Sequence, residues 1–216
     1  MKIPIEAALT LLHEAAFGTL ATNSSQLPGY PYATVVPYML DESHCPVLCI
    51  SALAEHTKNL LADPRVSLSV VQPGATDVQA TARLTWVADA EKCEATPAFL
   101  VRYFRYEPGT EPLLDLDFMF FRLNPKRIRF IGGVGRMGWL EEPEWKALTR
   151  LPAADEALLV DEVSAVLQGN ARVLGIDPYG IDYELDGQRQ RQALPGETLS
   201  LETVKEAARI LAAQLE

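Results

Sequence analysis

The sequence predicts an antiparallel β-barrel or sandwich followed by a small α+β unit. Two observations carry this reading. Residues 1–140 contain about six β-branched or aromatic segments joined by short turns, with few helical stretches, and strands in hairpin succession build antiparallel rather than parallel sheets. Past residue 140 the texture changes to helix, strand, strand, helix. The division falls between Glu141 and Pro152, giving domains 1–140 and 141–216.

Ile5, Ala8, Leu11, Leu12 and Ala15 are spaced by three and four, which marks an amphipathic helix over residues 3–16. "FGTLAT" and "YATVVPYML" read as strands around the turn-rich "NSSQLPGYP". Pro37 inside the second strand argues for a sheet edge or a bulge. "DESHC" is a hairpin connection into "PVLCIS", and "PGATD" joins "SLSVVQ" to "ATARLTWVA". Residues 89–104 read as a helix with Asp89 as its N-cap. "DFMFFRLNPKRIRFIGG" supplies one or two strands around Asn124-Pro125. In the second unit, "DEALLVDEVSAVL" and "LSLETVKEAARILAAQL" are helices, the latter capped by Ser200 or Thr198, and "ARVLGIDPYGIDYEL" and "QRQRQAL" are strands.

The composition is that of an ordinary globular chain, 48% hydrophobic and 22% charged. No apolar run approaches the ~18 residues of a membrane span, and the N-terminus lacks a signal-peptide pattern. Cys45, Cys49 and Cys93 share no metal spacing, and the first two read as buried free thiols. A cytoplasmic protein without a metal site is expected. Net charge is −10, with 12 basic and 14 acidic residues over 1–140 and 7 and 15 over 141–216. That balance disfavours nucleic acid, and the acidic second unit reads as a solvated face. The basic run "PKRIRF" alternates with Ile128 and Phe130 and reads as a strand with one wet face.

"SALAEHTKNL", residues 51–60, places histidine, threonine, lysine and asparagine where a strand turns into a helix. One reading is the wet first turn of a surface helix. The other is an anion site, with free N–H groups at the helix start and polar side chains around them. His56 or Lys58 would supply charge and Thr57 a hydroxyl donor.

The segments around this stretch are "GYPYATVVPY", "DPRVSLSV", "ARLT" and "IGGVGRMGWL". In this order the set resembles the flavin-binding split-barrel family, the pyridoxamine 5'-phosphate oxidase-like proteins, and within it the haem-utilisation branch. The resemblance implies a six-stranded antiparallel barrel with a small α+β C-terminal domain, forming a homodimer that holds FMN at its interface. By that resemblance Thr34, Val35, Val36 and Pro37 run beside the isoalloxazine, and Ile50 and Ser51 lie near the ring or ribityl chain. His56, Thr57 and Asn59 hold the phosphate, Arg83 makes a second contact, and Arg136 and Trp139 reach over from the partner subunit. Read from the residues alone, Arg83 equally fits a solvent-facing strand position, and Trp139 a domain-interface anchor. Gly132, Gly133, Gly135 and Gly138 lack the βαβ context of a dinucleotide motif.

The second unit departs from the branch. Its first helix carries no histidine, and no histidine follows His56, so the iron ligand of haem-degrading relatives is missing. No acid–base pair or triad stands out, so no catalytic residue is assigned; in a flavoprotein the cofactor itself carries the redox chemistry. The function expected is that of an FMN-dependent oxidoreductase acting on a small molecule. A haem-binding or haem-degrading protein, and a non-catalytic binding module that has lost flavin, are the alternatives.

Overall fold

In the computed structural model of the 216-residue chain, residues 5–133, 135–167, 171–194 and 200–215 are described. The first amphipathic segment is helix α1 (Ile5–Glu14), which buries Ala8, Leu9, Leu11 and Leu12. Strands β1 (Phe17–Asn23), β2 (Pro31–Pro37), β3 (Met39–Leu40) and β4 (Pro46–Ser51) follow. Next come helix α2 (Glu55–Ala62) and strands β5 (Arg65–Val71) and β6 (Arg83–Cys93). After helix α3 (Pro97–Tyr106) come β7 (Phe118–Ile131), β8 (Met137–Glu141) and the short α4 (Glu142–Lys146).

These strands form one antiparallel sheet in the order β2-β1-β5-β6-β7-β4-β3, with β8 also on β7. The sheet has eight strands where six were expected, for two reasons. The run "YATVVPYML" breaks after Pro37, and Tyr38 turns inward to donate its hydroxyl to the Leu12 carbonyl at 2.8 Å. Strand β7 is long enough to carry two partners on one edge, β4 along Phe118–Arg122 and β8 along Arg127–Ile131. Pro37 ends a sheet-edge strand, where its missing N–H costs no ladder bond. A bulge opposite Val87 and Ala88 absorbs Lys126, so Asn124-Pro125 lies within one continuous β7. Helix α1 packs on β3, β5 and β6, strands far apart in sheet order, so the sheet curls around it.

The core of this unit centres on Trp86 and Trp145, which meet edge to face at 5.0 Å. Each indole N–H is satisfied by a carbonyl, of Leu123 and His44 respectively, at 3.1 Å. Asp41 shapes the β3–β4 turn by accepting from the N–H of Ser43 and of Cys45. Cys45 and Cys49 are buried free thiols, and burial pushes Cys49 up to about 11.

The helix expected over 89–104 is corrected. Asp89 lies within β6, paired with Asn124. The helix begins only at Pro97, where Thr96 accepts from the Phe99 N–H and proline takes a position that needs no donor. Residues 96–108 also belong to the second compact unit, together with 149–216, whereas 1–95 and 109–148 form the first.

That second unit adds helix α5 (Ala153–Ser164), strands β9 (Arg172–Asp177), β10 (Gly180–Leu185) and β11 (Gln188–Ala193), and helix α6 (Leu201–Leu215). Its three strands form an antiparallel sheet in the order β11-β10-β9. One side is apolar, with Val173, Ile176, Ile181 and Tyr183 packed with Val160, Val163, Val204 and Leu211. Ser200 caps α6 by accepting from the Thr203 N–H; Thr198 lies outside the described residues. Among the described residues no helix is long and apolar enough to cross a membrane.

Candidate ligand-binding site

The "EHTKN" stretch opens α2, as its position after an apolar strand suggested. Ala54 occupies the N-cap and offers no side-chain bond. Among the described residues the N–H groups of Glu55, His56 and Thr57 have no partner, and the first helical bond runs from Lys58 to Ala54. The start of α2 therefore presents free donors. Thr57 is 0% exposed, and its hydroxyl is buried without a hydrogen-bond partner. His56 is half-buried, and burial lowers its pKa, favouring the neutral ring.

Asn59 faces the other way. Its Oδ1 accepts from the Ser25 N–H at 2.8 Å and the Ser25 hydroxyl at 2.9 Å, and its Nδ2 donates to the Thr22 hydroxyl at 3.0 Å. It pins the β1–β2 connection to α2 and has little left for a ligand. Ser51 Oγ accepts from the Leu53 N–H, which shapes the turn before α2. Ile50 is buried in β4. On β2, Thr34 is half-buried, Val35 and Pro37 are exposed and Val36 is buried.

Arg83, Arg136 and Trp139 gather elsewhere, on β6 and the β7–β8 hairpin. Arg83 folds back to donate to the carbonyl of Val78 at 2.6 Å. Gly133 has φ +102°, and a Cβ there would stand 3.0 Å from the Ala80 carbonyl oxygen, so the hairpin closes over that loop only with glycine. Trp139 is 43% exposed. Arg127 and Arg129 stack on its ring, their Cζ atoms 4.3 and 5.2 Å from the centroid. Neither arginine was singled out from the sequence, although the alternation in "PKRIRF" did mark them as sharing an outward face. Among the described residues no hydrogen bond or ion pair joins this group to the α2 group.

For an FMN phosphate the fit is partial. The α2 N–H groups and the Thr57 hydroxyl suit it, whereas Asn59 and Arg83 already hold protein partners.

The curled antiparallel sheet with a helix start at the end of one strand is a split barrel, and the pyridoxamine 5'-phosphate oxidase family profile matches it over residues 5–132. The chain belongs to that family. It is 32% identical over 160 residues to the chloroplastic heme oxygenase HOZ of Arabidopsis thaliana, covering 71% of this chain and 49% of that protein. It thus spans about half the length of that relative. A heme binding protein from Mycobacterium smegmatis matches 99% of this chain and 98% of its own, at 28% identity and a TM-score of 0.63. A protein of unknown function from Agrobacterium tumefaciens shares the fold at a TM-score of 0.75 and 22% identity, covering 95% of this chain and 94% of its own.

Proposed function

We propose that this protein binds haem on its split barrel. The observation that carries the reading is the match along nearly the whole chain to a heme binding protein at 28% identity. The 32% identity to a heme oxygenase points the same way. Bound haem would supply an iron centre for oxygen chemistry; the chain's own residues would hold the macrocycle, orient it and exclude water. His13 and His44 are 2% and 1% exposed, so His56 is the accessible imidazole, and its lowered pKa keeps the ring in the neutral form that ligates metal. The arrangement proposed is a ligand held between two copies, one offering the α2 group and the other the β7–β8 group. Titration with haemin, followed in the Soret band, tests the reading. A saturable site of one haem per chain supports it; a non-saturating spectrum identical to free haemin removes it.

One observation favours a second reading, FMN. A fully buried hydroxyl without a partner at Thr57, beneath free N–H groups, is what a phosphate would complete. FMN fluorescence that quenches to saturation, and does so more weakly in Thr57→Val, would favour flavin. Failure of both ligands would leave a non-catalytic binding module.

A further inference from the structure

Trp139 is out of keeping with the rest of the chain. The other two tryptophans, Trp86 and Trp145, are 0% and 1% exposed, while Trp139 stands 43% exposed on β8. The register sets Arg129 opposite Trp139 and Arg127 opposite Glu141. Met137, beside Ile131, is 49% exposed on the same face. Charge on this face opposes the sign of the molecule. The chain carries −10 overall, yet two arginines, 127 and 129, lie over this indole. Glu141 pairs with Arg127 at 2.8 Å. Among the described residues no carboxylate pairs with Arg129 or Arg136.

A guanidinium laid over an indole is held flat by the ring and keeps its N–H edge free to grip a carboxylate with two parallel bonds. Arg127 spends that edge on Glu141, whereas Arg129 keeps its own, so the exposed indole and Arg129 combine an apolar surface with an anion donor. We propose that Trp139 and Arg129 form a recognition surface for the carboxylate-bearing edge of a planar macrocycle. The proposal rests on the haem reading and names the part of the ligand, the propionates, that this face takes.

The test compares haemin with its dimethyl ester, whose carboxylates are masked, on the full-length protein and on the variants Arg129→Gln and Trp139→Leu. Loss of one charge-assisted carboxylate contact weakens haemin binding about tenfold in Arg129→Gln and leaves the ester unchanged. Trp139→Leu weakens both ligands, because the flat surface serves both. Far-UV circular dichroism checks that each variant folds. If both variants bind haemin with wild-type affinity, this surface is not the recognition site, although the haem reading stands. If the wild-type protein takes up no haemin, the haem reading fails and this surface fails with it.

Discussion

Asn59 on α2 reaches Thr22 on β1 at 3.0 Å and closes the connection after β1 with two further bonds from Ser25. A residue expected to hold a ligand is thus a clip inside the protein. Its amide is 0% exposed, so Asn59→Ala leaves the Thr22 hydroxyl and the Ser25 N–H short of partners. Stability should fall by about 1–3 kcal/mol, and the melting temperature by about 2–4 °C for each kcal/mol. Urea titration measures the loss. A variant as stable as wild type would refute the clip.

Thr57 predicts the opposite sign. Its hydroxyl is buried without a partner in the free protein, a state that costs about 1–3 kcal/mol. Thr57→Val keeps the shape and removes the orphan, so the ligand-free variant should be as stable as wild type or more so. If FMN phosphate completes the site, the same variant binds FMN more weakly. A marked drop in the melting temperature of the ligand-free variant would mean the hydroxyl has a partner in solution.

How far the sequence went can be judged from particular residues. Alternation and turn chemistry are local, so most strands were legible, Pro37 as an edge or a bulge and Ser200 as one of two caps, whereas the break after Pro37 and strand β8 were not. Asp89 was misread because an acidic residue before a mixed run resembles an N-cap; the stronger pair Thr96-Pro97 lay seven residues on. The outward face of Arg127 and Arg129 was visible in the alternation. Their stacking on Trp139 depends on the β7–β8 register, which no single segment encodes. At Asn59 the residue type suggested polar contact, but helix phase and packing turned it inward. The ion pairs that place α3 in the second unit join residues some 50 to 90 positions apart, beyond any local pattern.

His56 gives a pH dependence. Burial lowers its pKa from the ordinary 6.5, so in the window below 6.5 the unfolded chain binds more protons at this site than the folded one. The contribution of His56 to stability is therefore complete above pH 6.5 and is lost as pH falls through the folded value. His56→Gln should flatten this part of the stability profile. A ring proton of His56 that titrates by NMR at or above 6.5 would refute the assignment.

The last prediction concerns the second unit, where one face of the small sheet is ionic. Arg191 donates to Asp182 at 2.5 Å and to Asp177 at 2.7 Å. The hydroxyl of Tyr106, brought in by α3, donates to Asp182 at 2.6 Å. On the same helix Arg102 pairs with Glu156, and Glu107 pairs with Arg189. Both partners of the Arg191–Asp182 pair have side chains 1% exposed. The coulombic attraction of both aspartates overcomes the desolvation of Arg191 and holds its pKa above the usual arginine range. Arg191→Met removes the cation that two buried carboxylates share, a change that costs about 3–5 kcal/mol. Tyr106→Phe removes one bond to a charged acceptor and costs about 1.5–3 kcal/mol. Because both act on Asp182, the double variant should lose measurably less than the sum of the singles. Urea denaturation of the four proteins completes the cycle. If Arg191→Met unfolds at the wild-type urea concentration, the aspartates are solvated and α3 is not held by this network. If the losses add, Tyr106 and Arg191 stabilise the unit independently, and helix and strand are not linked through Asp182.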